Sequence, residues 1–315
     1  MPALTDLSLI DAQTLRAALP LTEAIAAIRD AASLGTDAFQ RSAVDTAHGQ
    51  FLLMPSELSG YAGCKVLTVA PGNPSRGLDR IQGVFLLFDG DTLEPRAIID
   101  GAELTSLRTP AVTAAIVDLV TPADARTLTV FGTGPQARHH VRAMREIRPI
   151  ERVRVVGRTE ESSRRAADAW SDADLDIRAG SAAEGRDADI VICATSAVEP
   201  LFGTGVDART TVAAVGSHEP TKRELPGALL GSSHVIVESL TVATTEAGDV
   251  IQAIDEGHLR VDDLISFQEV ATGAVSPGFD RSRVVKTCGM GWQDLVVAVA
   301  AMERIDDGGR RGTGR

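Results

Sequence analysis

The segment LTVFGTGPQARHHVRAM, residues 128–144, constrains the fold of this chain more than any other. An apolar strand ending at Phe131 runs straight into Gly132-Thr133-Gly134-Pro135-Gln136-Ala137, which opens a helix. In a G-x-G-x-x-A turn the first glycine makes the tight turn and the second lets the backbone approach a pyrophosphate. The small last residue lets helix and strand pack closely. The free N–H groups of the helix N-terminus add partial positive charge. A second strand, 153–156, follows the helix. This order implies a dinucleotide site at residues 132–137 on a doubly wound parallel sheet of the Rossmann type.

The pattern around this segment supports that fold class. Short apolar runs at 128–131, 153–156, 190–194, 211–215 and 235–237 alternate with helix-length segments. Such runs suit strands buried on both faces. Upstream, Asp11 is placed to cap a helix running to Leu19, and Thr22 to cap a helix presenting Ile25 and Ile28 on one face. Strand-like runs at 51–54, 61–69, 84–88 and 96–100 predict a mostly antiparallel sheet, the last two joined as a hairpin through DGDTLEP. A long helix is expected from about Thr105 to near Pro122, and another from Gly289 to Met302. From Asp306 onward the Gly- and Arg-rich stretch predicts a disordered tail.

Composition narrows the function. The chain has 315 residues, enough for two domains. Its 31 basic and 43 acidic residues give a net charge of −12, with 3% aromatics, which argues against a nucleic-acid footprint or an anionic membrane surface. No membrane span or signal peptide is read from the sequence. Cys64, Cys193 and Cys288 lack metal-ligand spacing and read as reduced thiols of a cytoplasmic protein, with no metal expected.

The strand after the glycine turn bears on which nucleotide is bound. NAD sites usually end it on a carboxylate that meets the ribose hydroxyls. Here it ends on Gly157-Arg158-Thr159. Arg158 can pair with a 2′-phosphate and Thr159 can donate to it, so NADP(H) is favoured over NAD(H). A solvated loop arginine is the alternative. Thr195 and Ser196, after the 190–194 strand, are placed to contact nicotinamide or ribose. His218 follows the 211–215 strand, where a histidine could serve as general acid or base or simply be a loop residue. His139-His140 reads as amphipathic filler rather than a metal pair.

Several further segments, in order, complete a pattern: FLLMP (51–55), GCKVLTVAPGN (63–73), LRTPAVTAA (107–115), VFGTGPQA (130–137), GRT (157–159), AVGSHEP with REL (214–225), EAGDV (246–250) and KTCGMGWQDL (286–295). In these, the chain resembles the ornithine cyclodeaminase/mu-crystallin family. The resemblance implies a homodimer with a discontinuous substrate and dimerisation domain, 1–120 with 288–315, around a Rossmann domain, 121–287. It places Arg41, Lys65 and Arg108 at the substrate carboxylate, with Lys65 also a proton donor, and turns Asp294 toward the same site. Guanidinium forks hold carboxylates bidentately, and a lysine supplies a compact charge. A lysine within CKVLTV either meets a buried counter-charge or lies on a wet sheet face. Arg108 reads as the start of its helix, where a cation opposes the dipole and so points to ligand binding or ion pairing. Asp294 could equally be a solvated helix carboxylate.

Two departures separate the chain from the cyclodeaminases of that family. Leu52 stands where they carry a glutamate two residues before Met-Pro, and His218 stands where they carry an aspartate. Without both carboxylates nothing orients a distal ammonium group for cyclisation. The expectation is therefore an NAD(P)H-dependent imine reductase or amino-acid dehydrogenase acting on a small amino or keto acid. Catalytic roles are expected for Lys65, Arg108, His218 and Asp294. The alternatives are an ornithine- or lysine-type cyclodeaminase using NAD catalytically, and a non-catalytic ligand-binding protein of the mu-crystallin kind.

Overall fold

The structure is a computed structural model that describes residues 7–35, 39 and 41–312. The chain forms two compact units, Met1–Ala111 with Gly289–Arg315, and Val112–Cys288.

The first unit holds strands β1 (Ser8–Ile10), β2 (Ser42–Thr46), β3 (Gly49–Leu58), β4 (Tyr61–Val69), β5 (Ile81–Asp89) and β6 (Pro95–Asp100). They make one sheet in the order β1-β6-β5-β4-β3-β2, antiparallel except for β1 against β6. Helices α1 (Ala12–Ala18) and α2 (Leu21–Leu34) also belong to it, and α3 (Gly101–Val120) begins in it. Period-two alternation decides what each face meets. On β4, Gly63, Lys65 and Leu67 are buried while the residues between them are half-buried. Met54 pairs with Lys65, and Lys65 with Phe85, so these side chains share the covered face. On the other face Val44 lies opposite Phe51 and Leu53 opposite Val66, which lies opposite Val84. There Val44 is 53% exposed, Phe51 40% and Val84 38%.

The second unit is an eight-stranded sheet, parallel throughout: β7 (Thr127–Phe131), β8 (Arg152–Val156), β9 (Asp176–Ala179), β10 (Ile190–Cys193), β11 (Thr211–Ala214), β12 (His234–Val237), β13 (Leu264–Ser266) and β14 (Arg283–Lys286). Its helices are α4 (Pro135–Ile147), α5 (Glu160–Ala169), α6 (Ala182–Gly185), α7 (Gly227–Gly231), α8 (Leu240–Thr245), α9 (Gly248–Asp255) and α10 (Phe267–Ala271). The order β13-β12-β14-β11-β10-β7-β8-β9 reverses between β7 and β10. In doubly wound sheets, ligands bind outside the carboxyl ends of strands at such a switch point. The chain closes with α11 (Gly291–Gly312), which packs on β3, β4 and α2 of the first unit.

Several expectations are corrected. α2 starts at Leu21 behind Pro20, whose φ of −60° sets the entry, so Thr22 lies inside the first turn and caps nothing. α3 starts at Gly101, where the Asp100 carboxylate accepts from the Glu103 N–H at 2.8 Å. Arg108 therefore sits two turns into α3, and the dipole argument made for it does not apply. α11 continues past Asp306 to Gly312, replacing the expected tail with helix. Strands β1, β2, β9, β13 and β14 escape a reading by apolar runs because they are short or polar. Among the described residues no helix is long and apolar enough to cross a membrane.

Candidate active site

In the first unit three elements converge on one buried carboxylate. Lys65, on the covered face of β4, is fully buried, and its Nζ donates to Asp294 Oδ2 at 2.7 Å. Arg108, on α3, donates through Nε to Asp294 Oδ1 at 3.1 Å. Asp294, in the first turn of α11, is itself fully buried, so the reading of it as a solvated helix carboxylate is set aside. Gln293 Oε1 accepts from the Met290 N–H at 3.0 Å and from Arg108 Nη1 at 3.5 Å. Thr105 Oγ1 lies 3.5 Å from Lys65 Nζ.

Arg41 joins the group through the backbone, its Nη2 donating to the Gly289 carbonyl at 3.1 Å. Gly289 has a φ of +85°, and a Cβ there would lie 2.5 Å from Arg108 Nη1. It can carry no side chain if Arg108 is to keep its place. Sequence reading missed Thr105, Gln293 and Gly289. All three lie within the quoted segments or beside them, but nothing in residue type marks them as partners of a charge.

The cluster holds three basic groups against one carboxylate and so carries surplus positive charge. Burial and the neighbouring Arg108 together outweigh the attraction of Asp294 and bring the Lys65 ammonium down to about 7. A lysine titrating there can both hold a charge and release a proton near neutral pH.

The second unit presents the glycine turn as expected of a phosphate cradle. Gly132 has a φ of +121°, and a Cβ on it would meet the Ala194 carbonyl oxygen at 2.4 Å. A Cβ on Gly134 would meet nothing, leaving open space beside the backbone. α4 begins at Pro135 with no side-chain cap and no acid in its first turn, and Ala137 is fully buried beneath it. Uncapped N–H groups with open space before them fit a dinucleotide pyrophosphate. At the end of β8, a Cβ on Gly157 would lie 2.4 Å from Ser162 Oγ and 2.8 Å from Thr133 Cγ2, so any side chain here requires those two side chains to shift. Arg158 is exposed, and Thr159 accepts from the Ser162 N–H as the cap of α5.

His218 is exposed in the loop after β11, and Ser196 is exposed after β10. Thr195 is turned inward, its hydroxyl donating to Glu224 at 2.7 Å. His140 is no filler. It is fully buried, with Nδ1 2.8 Å from the Gln136 carbonyl and Nε2 3.0 Å from Thr113 Oγ1, and burial lowers it to about 4. It pins the start of α4 to α3 as a neutral ring. Among the described residues no group of three His, Cys, Asp or Glu side chains is arranged to hold a metal ion.

Comparison with known proteins gives the family. The profile of the ornithine cyclodeaminase/mu-crystallin family matches residues 13–309. The chain belongs to that family. It is 32% identical over 273 residues to the Delta(1)-pyrroline-2-carboxylate reductase of Bacillus thuringiensis, covering 82% of each chain. It is 32% identical over 237 residues to the mouse ketimine reductase mu-crystallin, covering 74% of this chain and 73% of that one. The Thermococcus litoralis Delta(1)-pyrroline-2-carboxylate reductase, solved with NADH and L-proline, shares the fold with a TM-score of 0.89 at 24% identity, over 96% of this chain and 98% of that one.

Within this family the position of Leu52 matters. Leu52 pairs with Leu67, two residues from Lys65 on β4, so it lies on the same covered face as Lys65 and Met54. Leu52, where the resemblance expects a glutamate in the cyclodeaminases, thus presents a hydrocarbon side chain on the sheet face that carries Lys65.

Replacing Asp294 tests the cluster's energetics. Asp294→Asn leaves two cationic side chains buried without their counter-charge, and urea unfolding should show a loss of about 3–5 kcal/mol. A loss below about 1 kcal/mol, the range of an exposed pair, would show that Lys65 and Arg108 do not depend on it.

Proposed function

We propose that this chain reduces the C=N bond of a small α-imino acid using NADPH in preference to NADH. One observation carries the reading: a lysine brought to about 7 lies beside an arginine and a carboxylate in a buried, net-positive cluster. The names of the relatives, Delta(1)-pyrroline-2-carboxylate reductase and ketimine reductase, describe the same chemistry.

The residues divide the work by chemistry. Arg108 and Arg41 bind the substrate carboxylate, Arg108 through the guanidinium edge not held by Asp294. Lys65 gives its proton to the imine nitrogen. Gly132–Ala137 would hold the dinucleotide's pyrophosphate, and its nicotinamide would supply the hydride that, together with the proton from Lys65, turns the C=N bond into an amine. Asp294 fixes the Lys65 and Arg108 side chains and favours the protonated lysine. His218 is a second proton carrier in this reading, and Thr195 and Ser196 border the nicotinamide. Leu52 supports a reductase over a cyclodeaminase, because no carboxylate is available there to orient a distal amine.

The apolar outer face of the first unit's sheet, with Val44, Phe51 and Val84 exposed, is covered in this reading by a second copy of the chain. A cytoplasmic location is part of this reading, with Cys64 and Cys193 as free thiols.

With NADPH and Delta(1)-pyrroline-2-carboxylate, or an amine plus pyruvate, absorbance at 340 nm falls, whereas ammonia release without net nucleotide change would mark a cyclodeaminase and no turnover a binding protein. Lys65→Met abolishes this turnover while NADPH still binds, and in the unmodified enzyme kcat/KM falls as pH rises above about 7, because the lysine loses the proton it donates. Arg158→Ala removes a preference for NADPH of about tenfold or more, set by one charge-assisted contact worth about 1.5–3 kcal/mol. Sedimentation at micromolar concentration gives a dimer; a stable 33.1 kDa monomer would contradict the assembly.

A further inference from the structure

The second unit holds a buried charge network that the proposed chemistry does not use. Glu224 is fully buried in the segment before α7. Its Oε1 accepts from the Thr195 N–H at 2.8 Å and from the Thr195 hydroxyl at 2.7 Å. Its Oε2 accepts from the Gly216 N–H at 2.7 Å. One carboxylate thus ties together the loops that leave β10 and β11. Gly216 permits this closeness, since a Cβ on it would lie 2.1 Å from the Thr195 carbonyl oxygen.

The carboxylate is itself held from behind. Asp249, at the start of α9, accepts from the N–H groups of Glu224 and Leu225 at 2.7 and 2.9 Å and from the Ser217 hydroxyl. The buried Lys286, at the end of β14, lies 3.7 Å from Asp249 and donates to the Ala214 and Thr287 carbonyls at 3.1 and 2.9 Å. Burying three ionic side chains costs several kcal/mol each unless their partners are well placed. A hydrophobic core would hold the same loops without that cost. What hydrocarbon cannot do is fix the orientation of individual N–H groups and hydroxyls.

The two loops lie where the nucleotide's far half must go. The Thr195 loop abuts the glycine turn, because the Ala194 N–H donates to the Phe131 carbonyl at 2.9 Å and the Ala194 carbonyl crowds Gly132. A dinucleotide with its pyrophosphate at Gly132–Ala137 extends its nicotinamide half across the carboxyl ends of β10 and β11. We infer that Glu224, backed by Asp249 and Lys286, is a positioning residue for the nicotinamide half of the nucleotide. It acts through the Thr195–Ala197 and Gly216–His218 backbones and touches no substrate. The inference rests on the reading of this unit as the dinucleotide site.

Calorimetric titration of the full chain separates the two. The probes are NADPH and its nicotinamide-free fragment, 2′-phospho-ADP-ribose. Glu224→Gln keeps the shape but offers one acceptor where two are needed, so it should weaken NADPH binding about tenfold and fragment binding less than twofold. Glu224→Asp, which keeps both oxygens, should recover part of the loss. Thr195→Val deletes one of the three bonds and should show a smaller loss with the same selectivity, and it carries the test if Glu224→Gln does not fold. Equal losses for both probes, or no loss for either, would overturn the inference. An unmodified protein that binds neither probe would instead overturn the reading of the site.

Discussion

The Asp294 carboxylate, shared between the Lys65 ammonium and the Arg108 guanidinium with all three side chains buried, is the interaction on which the first unit's chemistry depends. Taking these charges out of water is costly, and replacing such a group by well-packed hydrocarbon is often neutral or stabilising. Their presence is therefore better explained by what they do than by what they stabilise. The sheet supplies Lys65, α3 supplies Arg108 and α11 supplies Asp294, so the site exists only when the ends of the first unit's chain come together. The chain uses lysine sparingly, at Lys65, Lys222 and Lys286. Two of these three are buried in charge networks, one in each unit.

The candidate nucleotide turn was legible because its signal is local. The glycine turn, the strand before it and the helix after it lie within seventeen residues, and backbone geometry alone accounts for each residue type. The strand-end Gly157 was legible for the same reason, and the structure adds that the Ser162 and Thr133 side chains crowd the space a side chain would need. The Lys65–Arg108–Asp294 cluster was legible only through resemblance. Lys65 and Asp294 are 229 residues apart, and no periodicity links them. Arg108 was singled out for a reason that does not survive: it lies inside α3, because Asp100 caps that helix well before Thr105.

What stayed hidden was buried polar structure. Glu224, Asp249 and Lys286 lie within the segments that carry the family resemblance, but nothing in sequence marks them as buried, since charged residues are rarely buried unless paired and the pairing is tertiary. β14 went unread because its four fully buried residues begin with Arg283 and end with Lys286. His140 was misread because its two partners lie in a helix turn and in a neighbouring helix, and only their geometry makes burial of the ring tolerable.

Burial and Arg108 bring Lys65 to a proton affinity suited to neutral pH, with Asp294 opposing them. NMR titration of the lysine ε-carbons in labelled protein measures this directly, since three lysines give three signals and the one absent from Lys65→Met is thereby assigned. This signal should titrate near pH 7. A midpoint near the ordinary lysine value of about 10.4 would contradict it.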